Sequence, residues 1–260
     1  MSQDPVRADL TALERLDVAL ASRLAVRAAS VDVGRPEDLC DVLDPPGLDV
    51  TARAIAGLLS LRGVPLRLED VAAVLSDAPG RLAPERQDYR LVRGLCRCLE
   101  TVRSRAREGR LPDGWFLVEL MRLATADIPR FRNNHLRRDA PWDAVPFVGY
   151  PDPGELPVLL ETFTPERCYR DFPPLFESLH PVRRAFRVMW RFARIAPFPD
   201  MNLILAVVAM NGYLLVSGYP SVPVLAGDRA LLHRIVGGPP PRRIGRFESR
   251  LAAAAEAIGR

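Results

Sequence analysis

The sequence predicts a mainly α-helical fold, and three observations favour it. Most segments place apolar residues three or four positions apart, as one face of a helix requires, and few show the alternation of a strand. Glycines and prolines interrupt these segments where helices would end. The chain has 260 residues, 48% of them hydrophobic, which is enough to bury the core of a medium-sized domain.

The first candidate helix covers 10–29, and the prolines at 36, 45 and 46 end that unit. We therefore divide the chain into an N-terminal helical appendage, 1–49, and a main domain, 50–260. Within the main domain, apolar spacing predicts helices over 50–61, 68–75, 86–106 and 115–126.

Helical spacing fails between residues 127 and 157. The prolines that accumulate there are Pro129, Pro141, Pro146, Pro151, Pro153 and Pro157. We expect a structured loop with a short β-hairpin near 145–148. A loop of this length inside a domain is either functional or a flexible excursion, and both alternatives stay open.

Helical spacing resumes after this loop and predicts helices over 156–163, 181–195, 203–216, 226–236 and 246–258. The helix 203–216 is apolar nearly all round, so we expect it to be buried on several sides. Gly218 is placed as the residue that ends it. The arginines of 181–195 are interpreted as a solvated face.

The charge pattern argues against nucleic-acid binding. The chain contains no lysine, so arginine supplies all 36 positive charges against 32 acidic residues, and the charges are spread along the chain. This composition is more typical of a GC-rich genome than of a phosphate-binding surface, and we expect a bacterial protein. Arginine-mediated nucleic-acid binding would require the arginines of 183–194 to form one exposed strip.

Metal binding and membrane insertion find no support in the sequence. The four cysteines, at 40, 96, 98 and 168, do not form a metal-binding pattern, and reduced thiols indicate a cytoplasmic protein. No run reaches the ~18 uninterrupted apolar residues that a membrane span needs, and the first residues do not read as a secretory leader. We expect no metal and no membrane segment.

Residues 180–224 carry a specific pattern. They read HPVRRAFRVMWRFARIAPFPDMNLILAVVAMNGYLLVSGYPSVPV. This stretch resembles the central helix, signature loop and following helix of Fic (Fido-fold) proteins, whose loop usually reads HPFxDGNGR. The resemblance implies a helical Fic-like domain in which the loop after 127 forms a hairpin flap over a pocket.

The same stretch departs from that pattern at the residues that carry the chemistry. In active Fic proteins the loop histidine is the general base, the acid holds magnesium, and the glycines admit nucleotide phosphates to a helix amino terminus. Ala196 stands at the histidine position, and Met201 and Leu203 stand at the glycine positions. Ile204 and Val207 replace the phosphate-binding arginines. The resemblance therefore implies a degenerate member that needs no nucleotide cofactor and has lost the usual AMP transfer.

The upstream inhibitory motif of the family has changed as well. The segment LLSLRGVPLRLEDVAAVL resembles it, and Arg62 stands where the family has an inhibitory glutamate. That glutamate pairs with a loop arginine that is Val207 here. The absence of the glutamate is consistent with the absence of the arginine, because the first residue acts on the second.

Five loop residues are candidates for contact with a ligand. Asp200 and Asn202 are retained from the signature, as a residual polar contact or, preferably, as helix caps. Met201, Leu203 and Ile204 would turn a polar phosphate pocket into an apolar wall, which indicates a different class of ligand.

The covering loop supplies two further candidates. Arg132 could touch a ligand, and His135 is the best candidate for a replacement base because it is the histidine of that loop. Solvated side chains are the alternative for both residues. We do not expect His180 or His233 near the signature loop.

Two hypotheses about function follow. The first is a pseudoenzyme that acts by binding an unknown protein partner or small molecule. The second is an enzyme on the same fold, repurposed for different chemistry on an apolar small molecule, with specialised metabolism as one setting. A homodimer is an open alternative, since proteins of this fold often pair.

Overall fold

The computed structural model describes residues 5–30, 36–132 and 136–258, and α-helices joined by turns and loops form the architecture of these residues. The twelve α-helices are α1 (Pro5–Ser30), α2 (Pro36–Leu43), α3 (Leu48–Leu61), α4 (Leu68–Leu75), α5 (Gln87–Arg107), α6 (Gly114–Thr125), α7 (Leu156–Glu161), α8 (Pro173–Ser178), α9 (Pro181–Ile195), α10 (Asn202–Val216), α11 (Asp228–Gly237) and α12 (Gly245–Ala257). Short 3-10 turns lie at Pro129–Phe131, Pro153–Glu155 and Pro165–Arg170. The mainly α prediction is confirmed.

The predicted β-hairpin near 145–148 is wrong, because the described part of the chain contains no strand. Phe147 has a left-handed backbone, with φ of 64°, which a strand does not accept. The N–H of Val145 donates to the Tyr150 hydroxyl at 2.8 Å instead of to a paired strand. The flap, which we define as residues 136–152, is therefore an irregular loop.

Helix α10 is the centre of the core. It packs against α9, α5, α3 and α6, and nearly all of its residues are buried, as its apolar sequence predicts. The expected end at Gly218 is also present: Gly218 has φ of +82°, and the N–H of Tyr219 reaches the Leu214 carbonyl at 2.9 Å.

Helix α5 lies close to α6 because Gly94 has no side chain. A Cβ atom built at Gly94 would lie 2.2 Å from the Ala124 carbonyl oxygen, far inside van der Waals contact. This approach joins two long helices that support α10.

Helix α1 packs along α12 and is tied to the main domain by a polar contact. Asp17 accepts a hydrogen bond from the Tyr219 hydroxyl and lies 3.0 Å from Nε2 of His180. The division at residue 49 stays a prediction. Among the described residues, no helix combines the length and apolarity that crossing a membrane would require.

A buried carboxylate fixes α11 against α12. Asp228 is fully buried, accepts the Leu225 N–H at 2.9 Å and pairs with Arg250 at 3.0 Å and Arg246 at 3.3 Å. Burial alone would raise the pKa of this carboxyl, but the hydrogen bonds and the two guanidinium groups hold its pKa below the ordinary value of 3.8.

The turn before α8 has an unusual backbone. Cys168, Tyr169 and Arg170 are consecutive and have positive φ angles of 45°, 54° and 60°. Left-handed backbone costs roughly 1–2 kcal/mol for each residue with a Cβ atom. The Tyr169 ring is buried and its hydroxyl donates to the Pro112 carbonyl at 3.0 Å, so packing holds the turn in place.

Candidate functional site

A cleft of about 430 Å³ lies where α3, the flap, the loop 196–201, α10 and α11 meet. Half of the lining residues are arginine, aspartate or histidine, and the other half are apolar. The lining residues are Leu61, Arg62, Val64, Arg130, Trp142, Asp143, Asp200, Met201, Leu203, Ile204, Arg229 and His233. This volume is within the range of small-molecule sites.

The signature loop 196–201 is bounded by two left-handed residues. Helix α9 ends at Ala196, with φ of 42°, and α10 begins after Met201, with φ of 72°. Glycine adopts such angles without strain, whereas Ala196 and Met201 both carry a Cβ atom. The loop therefore holds two strained backbone positions at its ends.

Asn202 holds this loop closed. Its side-chain oxygen accepts the Phe198 N–H at 2.9 Å, and its side-chain nitrogen donates to the Phe198 carbonyl at 2.8 Å. Asp200 acts in the same way, since its Oδ1 accepts the N–H of Met201 at 2.7 Å. These bonds stabilise the loop. The first N–H groups of α10, those of Asn202 and Leu203, donate to Asp143, so the expected capping of this helix by Asp200 and Asn202 is wrong.

The amino end of α10 is occupied by a carboxylate of the flap. Oδ2 of Asp143 accepts the backbone N–H of Asn202 at 2.7 Å and that of Leu203 at 3.4 Å, and Oδ1 accepts the Asn202 side chain at 2.8 Å. Free N–H groups at a helix amino terminus attract anions. Asp143 therefore fills the position where a helix of this kind would receive a phosphate.

The environment of Asp143 acts on its pKa in two directions. Burial raises the pKa of this carboxyl, and the nearby Asp200 raises it further, while the hydrogen bonds from Asn202 and Leu203 lower it. The net shift is upward. The carboxylate is consequently held by the helix end at some cost in desolvation.

The second carboxylate of the cleft is neutralised by arginines. Oδ2 of Asp200 accepts from Arg62 Nη2 at 2.7 Å and Nε at 3.0 Å, and Arg130 lies at 3.2 Å. With its amide oxygen facing the two guanidinium groups, Gln87 accepts from Arg130 at 3.0 Å and from Arg62 at 3.3 Å. Arg62 thus pairs directly with the loop acid.

The flap is attached to the signature loop through its backbone. The N–H groups of Arg137 and Trp142 donate to the carbonyls of Pro197 and Pro199 at 2.9 and 2.7 Å. The buried Arg137 side chain also donates to the Ala196 carbonyl at 2.7 Å. These bonds place Trp142 and Asp143 at the cleft.

The predicted site residues are only partly brought together. Asp200, Met201, Leu203 and Ile204 line the cleft, whereas the Asn202 side chain is used inside the loop. Arg132 is exposed and does not belong to the lining. His135 lies outside the described residues, so its role as a base stays a prediction.

Sequence reasoning missed much of the polar lining. Arg130, Asp143 and Arg229 were not considered, and the expectation that His233 lies away from the loop is wrong. Arg229 and His233 are four residues apart and therefore share one face of α11. That spacing is a signal the sequence does contain.

One imidazole and two carboxylates are the groups of the cleft that could accept a proton. Burial lowers the pKa of His233, and the charge of Arg229 lowers it further, so this imidazole is largely neutral at pH 7. Within the described ranges, no three histidine, cysteine or acidic side chains form a group that could hold a metal ion. The Asp200 carboxylate, paired with two arginines, does not suit magnesium.

Comparison with known proteins gives a consistent result at the level of the fold. No protein-family model and no curated protein matches the chain. A Fic domain containing signaling protein from Bacteroides thetaiotaomicron is 19% identical, with a TM-score of 0.68 over 95% of this chain and 94% of that one.

Two further structures are similar. Fic-1 from C. elegans is 16% identical, with a TM-score of 0.61 over 95% of this chain and 70% of that one. A Fic family protein from Desulfovibrio desulfuricans G20 is 14% identical, with a TM-score of 0.51 over 99% and 74%. The chain therefore has the Fic fold, as the resemblance of residues 180–224 implies.

Proposed function

We propose that this Fic-fold protein does not transfer AMP by the usual route and instead acts by binding a small molecule or a partner at the cleft. The observation that carries the proposal is the Asp143 carboxylate at the amino end of α10. A nucleotide phosphate placed there would lose the helix N–H groups and meet a negative charge.

The state of the loop acid supports the same conclusion. Asp200 shares its charge with Arg62 and Arg130, and its side chain is 6% exposed. A magnesium ion at this carboxylate would be repelled by both guanidinium groups and would compete with them for its charge. The cleft residues therefore do not fit the metal–nucleotide complex that the family uses.

The general base is missing as well. Ala196 carries a methyl group at the histidine position and is almost fully buried. A general base contributes about 10²- to 10⁴-fold to a rate, and the loss of charged phosphate contacts adds a further factor. These losses act together, so only very slow AMP transfer is expected.

The proposal is tested with ATP radiolabelled at the α-phosphate, with the protein, magnesium and a cell lysate as the source of targets. We expect no more label on protein than in a sample without magnesium, while an active Fic protein in a parallel reaction labels its target. Labelling at ordinary catalytic rates would refute the proposal.

One observation favours a second candidate, an enzyme with different chemistry on an apolar small molecule. His233 is a largely neutral imidazole beside Leu203 and Ile204 in the same cleft, so it can accept a proton near a bound substrate. A ligand recovered chemically changed after incubation with the protein, and unchanged with H233Q, would support this candidate. If the ligand is recovered unchanged from both proteins, the cleft binds it without catalysing a reaction.

A further inference from the structure

Two nitrogen-bearing side chains of α11 face the cleft. Arg229 and His233 both line it. The guanidinium of Arg229 lies over Gly63, because a Cβ built at Gly63 would be 2.7 Å from its Nη1 atom. The α11 face is therefore directed at the end of α3 and the cleft between them.

The charges of the cleft do not balance. Both carboxylates are engaged, Asp143 with the amino end of α10 and Asp200 with Arg62 and Arg130. Within the described ranges, Arg229 forms no ion pair with any carboxylate. The lining thus holds three guanidinium groups against two carboxylates, which leaves a positive surplus in a concave site.

Arg130, a second arginine of the lining, is held in place by aromatic rings. The guanidinium carbon of Arg130 lies 4.6 Å from the ring centre of Phe131 and 5.2 Å from that of Trp142. Stacking of this kind limits the rotamers of the arginine, so less entropy is lost when it binds an anion.

The cleft also has apolar lining residues. Leu203 and Ile204 begin α10, and Leu61 and Val64 lie at the end of α3. Trp142 is 59% exposed, an unusual state for so large a ring, and its face borders the same space. A ligand that touches both kinds of lining residue needs an anionic end and an apolar body.

We propose that this cleft binds a small amphiphilic anion. Its carboxylate or phosphate lies between Arg229 and Arg130, and its apolar body packs on Trp142, Leu203 and Ile204. Arginine forms paired hydrogen bonds with either anionic group. The inference rests on the proposed function, because a nucleotide bound through the usual loop would occupy the same space.

The test is isothermal titration calorimetry of the full chain with four probes: naphthoate, naphthyl phosphate, the neutral amide naphthamide, and inorganic phosphate. We expect one or both naphthyl anions to bind at least about tenfold more tightly than naphthamide and inorganic phosphate, because only they satisfy both kinds of lining residue. The tighter of the two anions identifies the natural anionic group. Equal binding of naphthoate and naphthamide, or no binding of either anion, would overturn the proposal.

A matched pair of variants locates the bound anion. Arg229→Gln should weaken the naphthyl anion at least about tenfold, since it removes a charge-assisted hydrogen bond. Arg234→Gln is the control, because Arg234 is an exposed arginine of the same helix outside the lining. Both arginines are exposed, so neither change should prevent folding. Equal affinity of the two variants would place the ligand elsewhere and refute the site.

The AMP-labelling reaction on the same preparation distinguishes a failure of the proposed function from a failure of the proposed ligand. Labelled targets would refute the proposed function. Absent label combined with absent binding of the naphthyl anions would refute this inference alone.

Discussion

Replacing Asp143 by alanine tests whether this carboxylate fills an anion site at α10. The change removes a helix cap, worth about 1 kcal/mol, and leaves the Asn202 side-chain N–H without its acceptor, which costs about another 1 kcal/mol. Relief of the carboxylate's desolvation offsets part of this loss. We expect D143A to be less stable by between about 1 and 2 kcal/mol.

The vacated helix end should then accept an anion from solution. Inorganic phosphate at about ten times its dissociation constant would restore about 1.4 kcal/mol to D143A. The wild-type protein should show only the general stabilisation that phosphate gives to folded proteins. The measurement is urea unfolding, followed by circular dichroism, over a series of phosphate concentrations.

Two controls make this result specific. Sodium chloride at matched ionic strength corrects for screening. Asp152→Ala removes another aspartate near the flap end, whose Oδ1 accepts the N–H of Gly154 at 2.8 Å on the exposed surface. If phosphate stabilises D143A, D152A and the wild type equally, Asp143 does not occupy an anion site and the reasoning is refuted.

Three further predictions concern stability, each measured by urea unfolding. Arg170→Gly should stabilise the protein by up to about 1 kcal/mol, because Arg170 is an exposed residue with a left-handed backbone that glycine adopts without strain. The control Arg167→Gly should not stabilise it, and equal effects of the two changes would contradict this reason. Asp228→Asn should lower the free energy of unfolding by about 3 kcal/mol, because it breaks a buried ion pair. The control Asp49→Asn, at an exposed pair, should change it little. A loss under about 1 kcal/mol for Asp228→Asn would contradict a buried pair. Because the pKa of Asp228 is lowered, its contribution is present above about pH 4 and is lost as the pH falls through the folded pKa. Gly94→Ala should cost about 1–3 kcal/mol through collision with α6, and a neutral result would be inconsistent with that contact.

The helices could be predicted from the sequence because their signals are local. The apolar spacing of 181–195 and the proline at its first position mark both ends of α9, and Gly218 marks the end of α10. The two short helices α2 and α8 were missed, because each begins at a proline, and proline also marks the breaks between helices.

The flap could not be predicted because its hydrogen-bond partners are distant in sequence. The N–H groups of Arg137 and Trp142 bond to carbonyls of the loop 196–201, about 60 residues further along the chain. A local pattern contains no information about such a partner, and the hairpin expectation failed for that reason.

The candidate site divides in the same way. Asp200, Met201, Leu203 and Ile204 followed from one continuous stretch and line the cleft. Asp143 and the α11 pair enter through tertiary packing. The spacing of Arg229 and His233 places them on one helix face but does not specify what that face contacts. The position of His233 was mispredicted for this reason, since a helix far along the sequence was not expected to pack near the signature loop.

The central claim is that the signature loop no longer binds the metal–nucleotide complex. Thermal unfolding with and without magnesium and ATP tests it directly, since a ligand at about 100 times its dissociation constant stabilises by about 2.7 kcal/mol. The account predicts no shift of the unfolding temperature beyond that given by magnesium chloride alone. A clear shift that requires ATP, and that is unchanged in Arg229→Gln, would contradict it.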